Sequence, residues 1–131
     1  MSSFFFIAAG VMMAQYEFCV DTFSQCPTPM AVGPKGTGKT TASKALLSLF
    51  GLMNKNLVGK MTEAEASEHC SKSSFPYVYD DPQNLTEVKK LINATFNGQA
   101  RVTSRSSFTP KTGVMLSLNE RKLPNLLKDF Q

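Results

Sequence analysis

Apolar residues fall into blocks along the chain, and the spacing inside each block predicts its element. Phe4 to Ala14 is an uninterrupted apolar run, continued at helical spacing by Cys19 and Val20. It predicts a first core helix whose broad apolar face carries Phe4, Ile7, Ala8 and Val11. Pro27 and Pro29 end that helix and force an extended approach to Met30-Ala31-Val32, a short buried strand. After a glycine-rich stretch, Ala42, Ala45, Leu46, Leu49 and Phe50 recur at helical spacing until Gly51. Leu57-Val58 reads as a short strand, and Thr62-Glu63-Ala64-Glu65 has the capping-box pattern of a helix running to about Ser71, polar and exposed in its composition. Phe75 to Tyr79 is aromatic and β-branched, hence a strand, and it ends on Asp80-Asp81. Asn84 then caps a helix with Leu85, Val88, Leu91, Ile92 and Phe96 on one face, closed by Asn97-Gly98. A serine- and threonine-rich stretch from Gln99 to Thr112 leads into Val114 to Leu118, a last buried strand ending at Asn119. Strands alternating with helices predict the α/β class, with a mainly parallel sheet and flanking helices.

Length and composition fit one folded unit. The 131 residues are 42% apolar and 18% charged, far from the composition of disordered chains. The division expected is an N-terminal helix over 1–28 packing on a core over 29–131. Cys19, Cys26 and Cys70 are odd in number and contain no C-x-x-C pair, which argues against a zinc ribbon or a disulfide scaffold and suits a reducing, intracellular compartment. The Phe4–Ala14 run is too short to span a bilayer at about 20 residues, and no basic residue precedes it as a signal peptide requires. No membrane association is therefore expected. The net charge of +4 is local: residues 99–131 hold Arg101, Arg105, Lys111, Arg121, Lys122 and Lys128 against Glu120 and Asp129, and the rest of the chain is neutral overall. Such a segment suits an anionic partner such as nucleic acid, or is a solvated basic face.

The strongest chemical signal is Gly33-Pro34-Lys35-Gly36-Thr37-Gly38-Lys39-Thr40, which matches G-x-x-x-x-G-K-[ST] between a strand and a helix. Glycines let the backbone wrap a phosphate without Cβ clashes, and amide N–H groups at a helix N-terminus supply positive charge. Lys39 reaches the β and γ phosphates, and the Thr40 hydroxyl holds Mg²⁺. Asp80, at the tip of an apolar strand, suits the Mg²⁺ shell, and Asp81 suits the orientation or deprotonation of attacking water. Asn119 closes the last strand in the same way and can position water beside the γ phosphate. Read alone, a strand ending on two acids or on asparagine is an ordinary turn. It is the spacing behind the glycine loop that favours the chemical reading.

Other nucleotide-binding classes lack their marks. The only candidate for the guanine motif N-K-x-D is Asn54-Lys55-Asn56-Leu57, with leucine where aspartate must stand. The L-S-G-G-Q signature of transporter ATPases is absent, and no arginine-bearing lid precedes Arg101. His69-Cys70 lacks two further ligands for a metal.

The loop G-P-K-G-T-G-K-T-T, the strand F-P-Y-V-Y-D-D, the stretch F-N-G-Q-A-R-V-T-S-R and the strand V-M-L-S-L-N together resemble the ATPase core of superfamily 3 helicases and of phage, plasmid and viral primase-helicases, within the AAA+ group. The resemblance covers residues 30–120. It implies a P-loop NTPase fold with ATP contacts at Gly36, Gly38, Lys39, Thr40 and Thr41, Mg²⁺ at Thr40 and Asp80, water activation at Asp81 and a polar sensor at Asn119. It also implies a hairpin before the last strand that faces DNA, and a homo-oligomeric ring. The segment Gln99–Lys111, with Arg101, Arg105 and Lys111 among hydroxyls and Phe108, is then the candidate contact for single-stranded DNA. The family has a further strand and an arginine finger beyond the sensor, whereas here twelve residues follow Asn119, with Arg121 the only arginine among them. The expectation is a truncated core lacking the last strand and lid. The function expected of it is Mg²⁺-dependent ATP hydrolysis coupled to nucleic acid, or alternatively nucleotide binding with weak or no turnover.

Overall fold

The computed structural model describes residues 3–52, 57–102 and 106–128. Arg105 and residues 54–56 of the rejected guanine motif lie outside them. Four strands, β1 (Met30–Gly33), β2 (Leu57–Val58), β3 (Tyr77–Asp80) and β6 (Val114–Asn119), form one sheet in the order β1-β6-β3-β2, with every pairing parallel. The last strand in sequence is thus inserted between the first and third. Its composition allows this: Val114 through Leu118 are all buried, as a strand covered on both faces requires.

Alternation along the strands divides the core in two. Tyr77, Tyr79, Leu116 and Leu118 face α4 (Glu63–Lys72), α5 (Leu85–Phe96) and α6 (Leu123–Leu127). Val78, Met115 and Ala31 face α1 (Ser3–Ala14) and α3 (Lys39–Leu49). The cap on α5 forms as expected, with Asn84 Oδ1 accepting from the amides of Thr86 and Glu87. So does the capping box of α4, between Thr62 and Glu65. Helix α4 is not simply polar and exposed, however. Ala66 and Cys70, four residues apart, are buried on one stripe.

The N-terminal segment corrects two expectations. The helix breaks at Gln15, and α1 meets α2 (Tyr16–Phe23) at a bend of 72°. Beyond the break Tyr16 is buried and its hydroxyl donates to the Thr95 carbonyl of α5 at 2.6 Å. Nor is the buried face of α1 that of Phe4, Ile7 and Val11, which are exposed; Phe6, Ala9 and Met13 form the contact instead. Gly10 explains the choice, because a Cβ there would collide with the Leu46 side chain of α3. In a run apolar on every side, the smooth strip decides which face packs. No single helix among the described residues is long and apolar enough to cross a membrane, although α1 and α2 reach that composition together across their bend.

Part of the stretch before β6 forms a two-stranded antiparallel hairpin, β4 (Arg101–Val102) with β5 (Ser107–Phe108).

Candidate functional site

The carboxyl ends of β1, β3 and β6 lie side by side, because Gly33 pairs with Asn119 and Asp80 with Ser117 in the ladder. A cavity of about 510 Å³ opens above them, lined by Lys35 through Thr41, Asp80, Asp81, Ser117 and Asn119. Each sequence-derived position of the glycine loop from Lys35 to Thr41 and each of the three strand-end polar residues reaches this cavity. Gly33 and Pro34 contribute from behind it, through their carbonyls.

The loop turns through Gly36 at φ 84° and Gly38 at φ 81°, a left-handed conformation that suits glycine and brings the chain sharply into α3. Lys39, only 9% exposed, is folded onto its own loop. Its Nζ donates to the carbonyls of Gly33 at 2.8 Å and Pro34 at 2.6 Å, and to Thr37 Oγ1 at 3.3 Å. These bonds hold one positive charge at the mouth of the helix N-terminus, so loop, helix and ammonium together favour an anion.

Across the cavity the Thr40 hydroxyl donates to Asp80 Oδ2 at 2.9 Å, which joins the start of α3 to the tip of β3. A hydroxyl beside a carboxylate is an oxygen donor set of the kind a hard divalent cation takes, with water or anion oxygens completing the shell. Among the described residues no cluster of three or more His, Cys, Asp or Glu side chains could hold a metal by itself. The set therefore fits Mg²⁺ arriving with a phosphate ligand better than a metal caged by protein alone. Asn119 spends its side-chain oxygen on the amide of Arg121 at 3.1 Å, leaving the NH₂ group to offer a ligand.

Asp81 sits in an unusual turn. Its φ is 45°, and its amide donates to the Ser117 carbonyl at 2.7 Å. Lys122, in the 3₁₀ turn Glu120–Lys122 that follows β6, places Nζ 2.9 Å from Asp81 Oδ1 and also donates to the Pro82 carbonyl at 3.0 Å. Sequence reasoning missed this lysine, which meets its partner across 41 residues, as it missed Ser117. A signal for Ser117 was present: it is a hydroxyl in an otherwise apolar strand, two residues before Asn119 and so on the same face.

The basic candidates lie elsewhere. Arg101 directs Nε to Glu63 Oε1 of α4 at 3.4 Å and is largely covered. Lys111 is exposed, with its backbone amide bonded to the Cys70 carbonyl. Neither lines the strand-end cavity. The cysteines offer no nucleophile there either: burial pushes Cys70 up to about 12, and burial followed by the neighbouring Cys19 does the same to Cys26.

No family model matches the chain, and no curated protein matches it. Among solved structures, it is similar to a chain described as "SCCmec type IV Cch - active helicase", with a TM-score of 0.62 and 19% identity over 90% of this chain and 24% of that one. The chain thus spans about a quarter of the length of that neighbour. At this identity the likeness concerns architecture alone. The α/β fold, a parallel four-stranded sheet flanked by helices, is a helicase-like fold.

Proposed function

We propose that the chain is an ATP-binding P-loop NTPase module of the AAA+ type, hydrolysing ATP with Mg²⁺ and coupling it to nucleic acid. The observation that carries this reading is the convergence of Lys39, Thr40, Asp80, Asp81 and Asn119 on one cavity at the carboxyl ends of three adjacent parallel strands. Open α/β sheets bind their ligands at that edge.

In this reading the loop amides and the N-terminus of α3 bind the triphosphate. Lys39 exchanges the loop carbonyls for the β and γ phosphate oxygens. Thr40 and Asp80 hold Mg²⁺, which when bound neutralises charge on the phosphates. Asp81 orients the attacking water and accepts its proton, and the Asn119 amide positions that water. The hairpin and Lys111, with Arg105 and with Arg101 exchanging Glu63 for a phosphate, contact single-stranded DNA, and several copies form a ring inside the cell.

A second reading, binding without turnover, has its own support: Lys122 already occupies one oxygen of the Asp81 carboxylate. Phosphate release from Mg²⁺-ATP, with and without single-stranded DNA, separates the two. The leading reading expects DNA-stimulated hydrolysis that Asp81→Asn abolishes with nucleotide affinity preserved, whereas Asp80→Asn weakens the Mg²⁺ dependence of binding. Binding with no hydrolysis in any assembly state selects the second reading, and no nucleotide binding removes both.

A further inference from the structure

Ser117 lies in the middle of the sheet, 1% exposed, and its hydroxyl has no hydrogen-bond partner. A buried hydroxyl without a partner opposes folding, and native interiors rarely keep one. Among the described residues, the side-chain atoms in this position are Ser43 Oγ, His69 Nδ1, Arg101 Nη1 and Ser117 Oγ. Of these four residues, Ser117 is the one that lines the strand-end cavity. The backbone around it is engaged in the sheet. Ser117 pairs with Asp80 on one side and Ala31 on the other, and its carbonyl accepts from the Asp81 amide. The ladder therefore fixes the position of Ser117 at the floor of the cavity, in register with the residue whose carboxylate Thr40 touches.

Building on the nucleotide reading above, we propose that Ser117 is a further binding residue of this site, whose hydroxyl holds a water molecule of the divalent cation's shell. Water suits the position because a coordinated water points its hydrogens outward as donors, and the serine oxygen has lone pairs to accept one. Mg²⁺ keeps several of its waters when bound through one carboxylate and phosphates, so outer contacts of this kind fix its placement. The fold tolerates the orphaned hydroxyl because the bound state uses it.

The test compares wild type with Ser117→Ala and Ser117→Cys, using a fluorescent ATP analogue titrated in Mg²⁺ and in EDTA, alongside thermal unfolding without nucleotide. Both variants are expected to lose about tenfold in Mg²⁺-ATP affinity, the size of one hydrogen bond to a charged centre, and to bind the metal-free nucleotide as wild type does. Ser117→Ala is expected to unfold no earlier than wild type, since it removes an unpaired group. The thiol of the cysteine variant fills the same space but bonds weakly. Wild-type affinity in Ser117→Cys would therefore show a packing role and overturn the proposal. Equal losses in Mg²⁺ and EDTA, or no loss in either, overturn it as well. A wild type that binds no nucleotide fails the underlying reading instead, which is a distinct result.

Discussion

Lys122 is the residue whose removal reports most directly on how the Asp81 turn is held. Lys122→Met keeps the apolar stem and deletes the ammonium, which reaches Asp81 Oδ1 at 2.9 Å, the Pro82 carbonyl at 3.0 Å and the Asp81 carbonyl at 3.4 Å. The Asp81 side chain is 53% exposed and that of Lys122 27%, so the ion pair is worth about 0.5 kcal/mol after solvent screening. The bond to Pro82, a buried residue, adds about 1 kcal/mol once partial exposure is discounted. A loss of about 1.5 kcal/mol lowers the melting temperature by about 5 °C for a chain of this size. The turn is sensitive because Asp81 holds a left-handed φ, which disfavours a residue with a Cβ by about 1 kcal/mol, and the lysine offsets that strain. Differential scanning fluorimetry of both proteins at 0.1 M and 1 M NaCl measures the effect. The gap between them should narrow at high salt by the ion-pair share and persist by the hydrogen-bond share. A variant within 1 °C of wild type at both salt concentrations would refute the claim that Lys122 braces the turn.

Two further outcomes test packing elsewhere in the chain. Tyr16→Phe leaves the buried Thr95 carbonyl without its donor, costing about 1–2 kcal/mol and roughly 3–7 °C in thermal unfolding, and an unchanged melting temperature would show that α2 is not anchored there. His69, whose ring lies tilted at 46° to that of Tyr77 with centroids 4.9 Å apart, has its pKa lowered below 6.5 chiefly by burial, so its contribution to stability is complete above that value and is lost as pH falls through the lowered one. The melting temperature of wild type should therefore fall more steeply than that of His69→Gln between pH 7 and 5, and parallel curves would exclude a burden from protonating this ring.

Much of the frame is legible along the chain, where the determinants are local. Helix α5 has its cap at Asn84 and an apolar stripe at regular spacing, and the glycine loop has fixed residues between a strand and a helix. The three polar strand ends were readable for the same reason, since a parallel sheet aligns the carboxyl ends of its strands. What escaped depends on partners far away in sequence. The face of α1 that packs is selected by contact between Gly10 and Leu46. The bend at Gln15 precedes a bond from Tyr16 to Thr95, and Lys122 finds Asp81 only once β6 lies beside β3. Arg101 looked like a free cation in a basic stretch, yet Glu63 of α4 takes it up. Charge counting along a segment is blind to an acid on another helix.

The central claim is that the strand-end cavity binds a nucleoside triphosphate through Lys39. Its most direct measurement is the thermal shift produced by Mg²⁺-ATP in wild type and in Lys39→Ala, each compared with its own nucleotide-free form so that any intrinsic change in stability cancels. At a ligand concentration of about a hundred times the dissociation constant, wild type gains about 2.7 kcal/mol, a shift of roughly 10 °C. Lys39→Ala should lose most of that shift, because the ammonium now bonded to the Gly33 and Pro34 carbonyls is the charge that turns to the phosphates. An ATP-induced shift of equal size in both proteins, or none in wild type, would contradict the account.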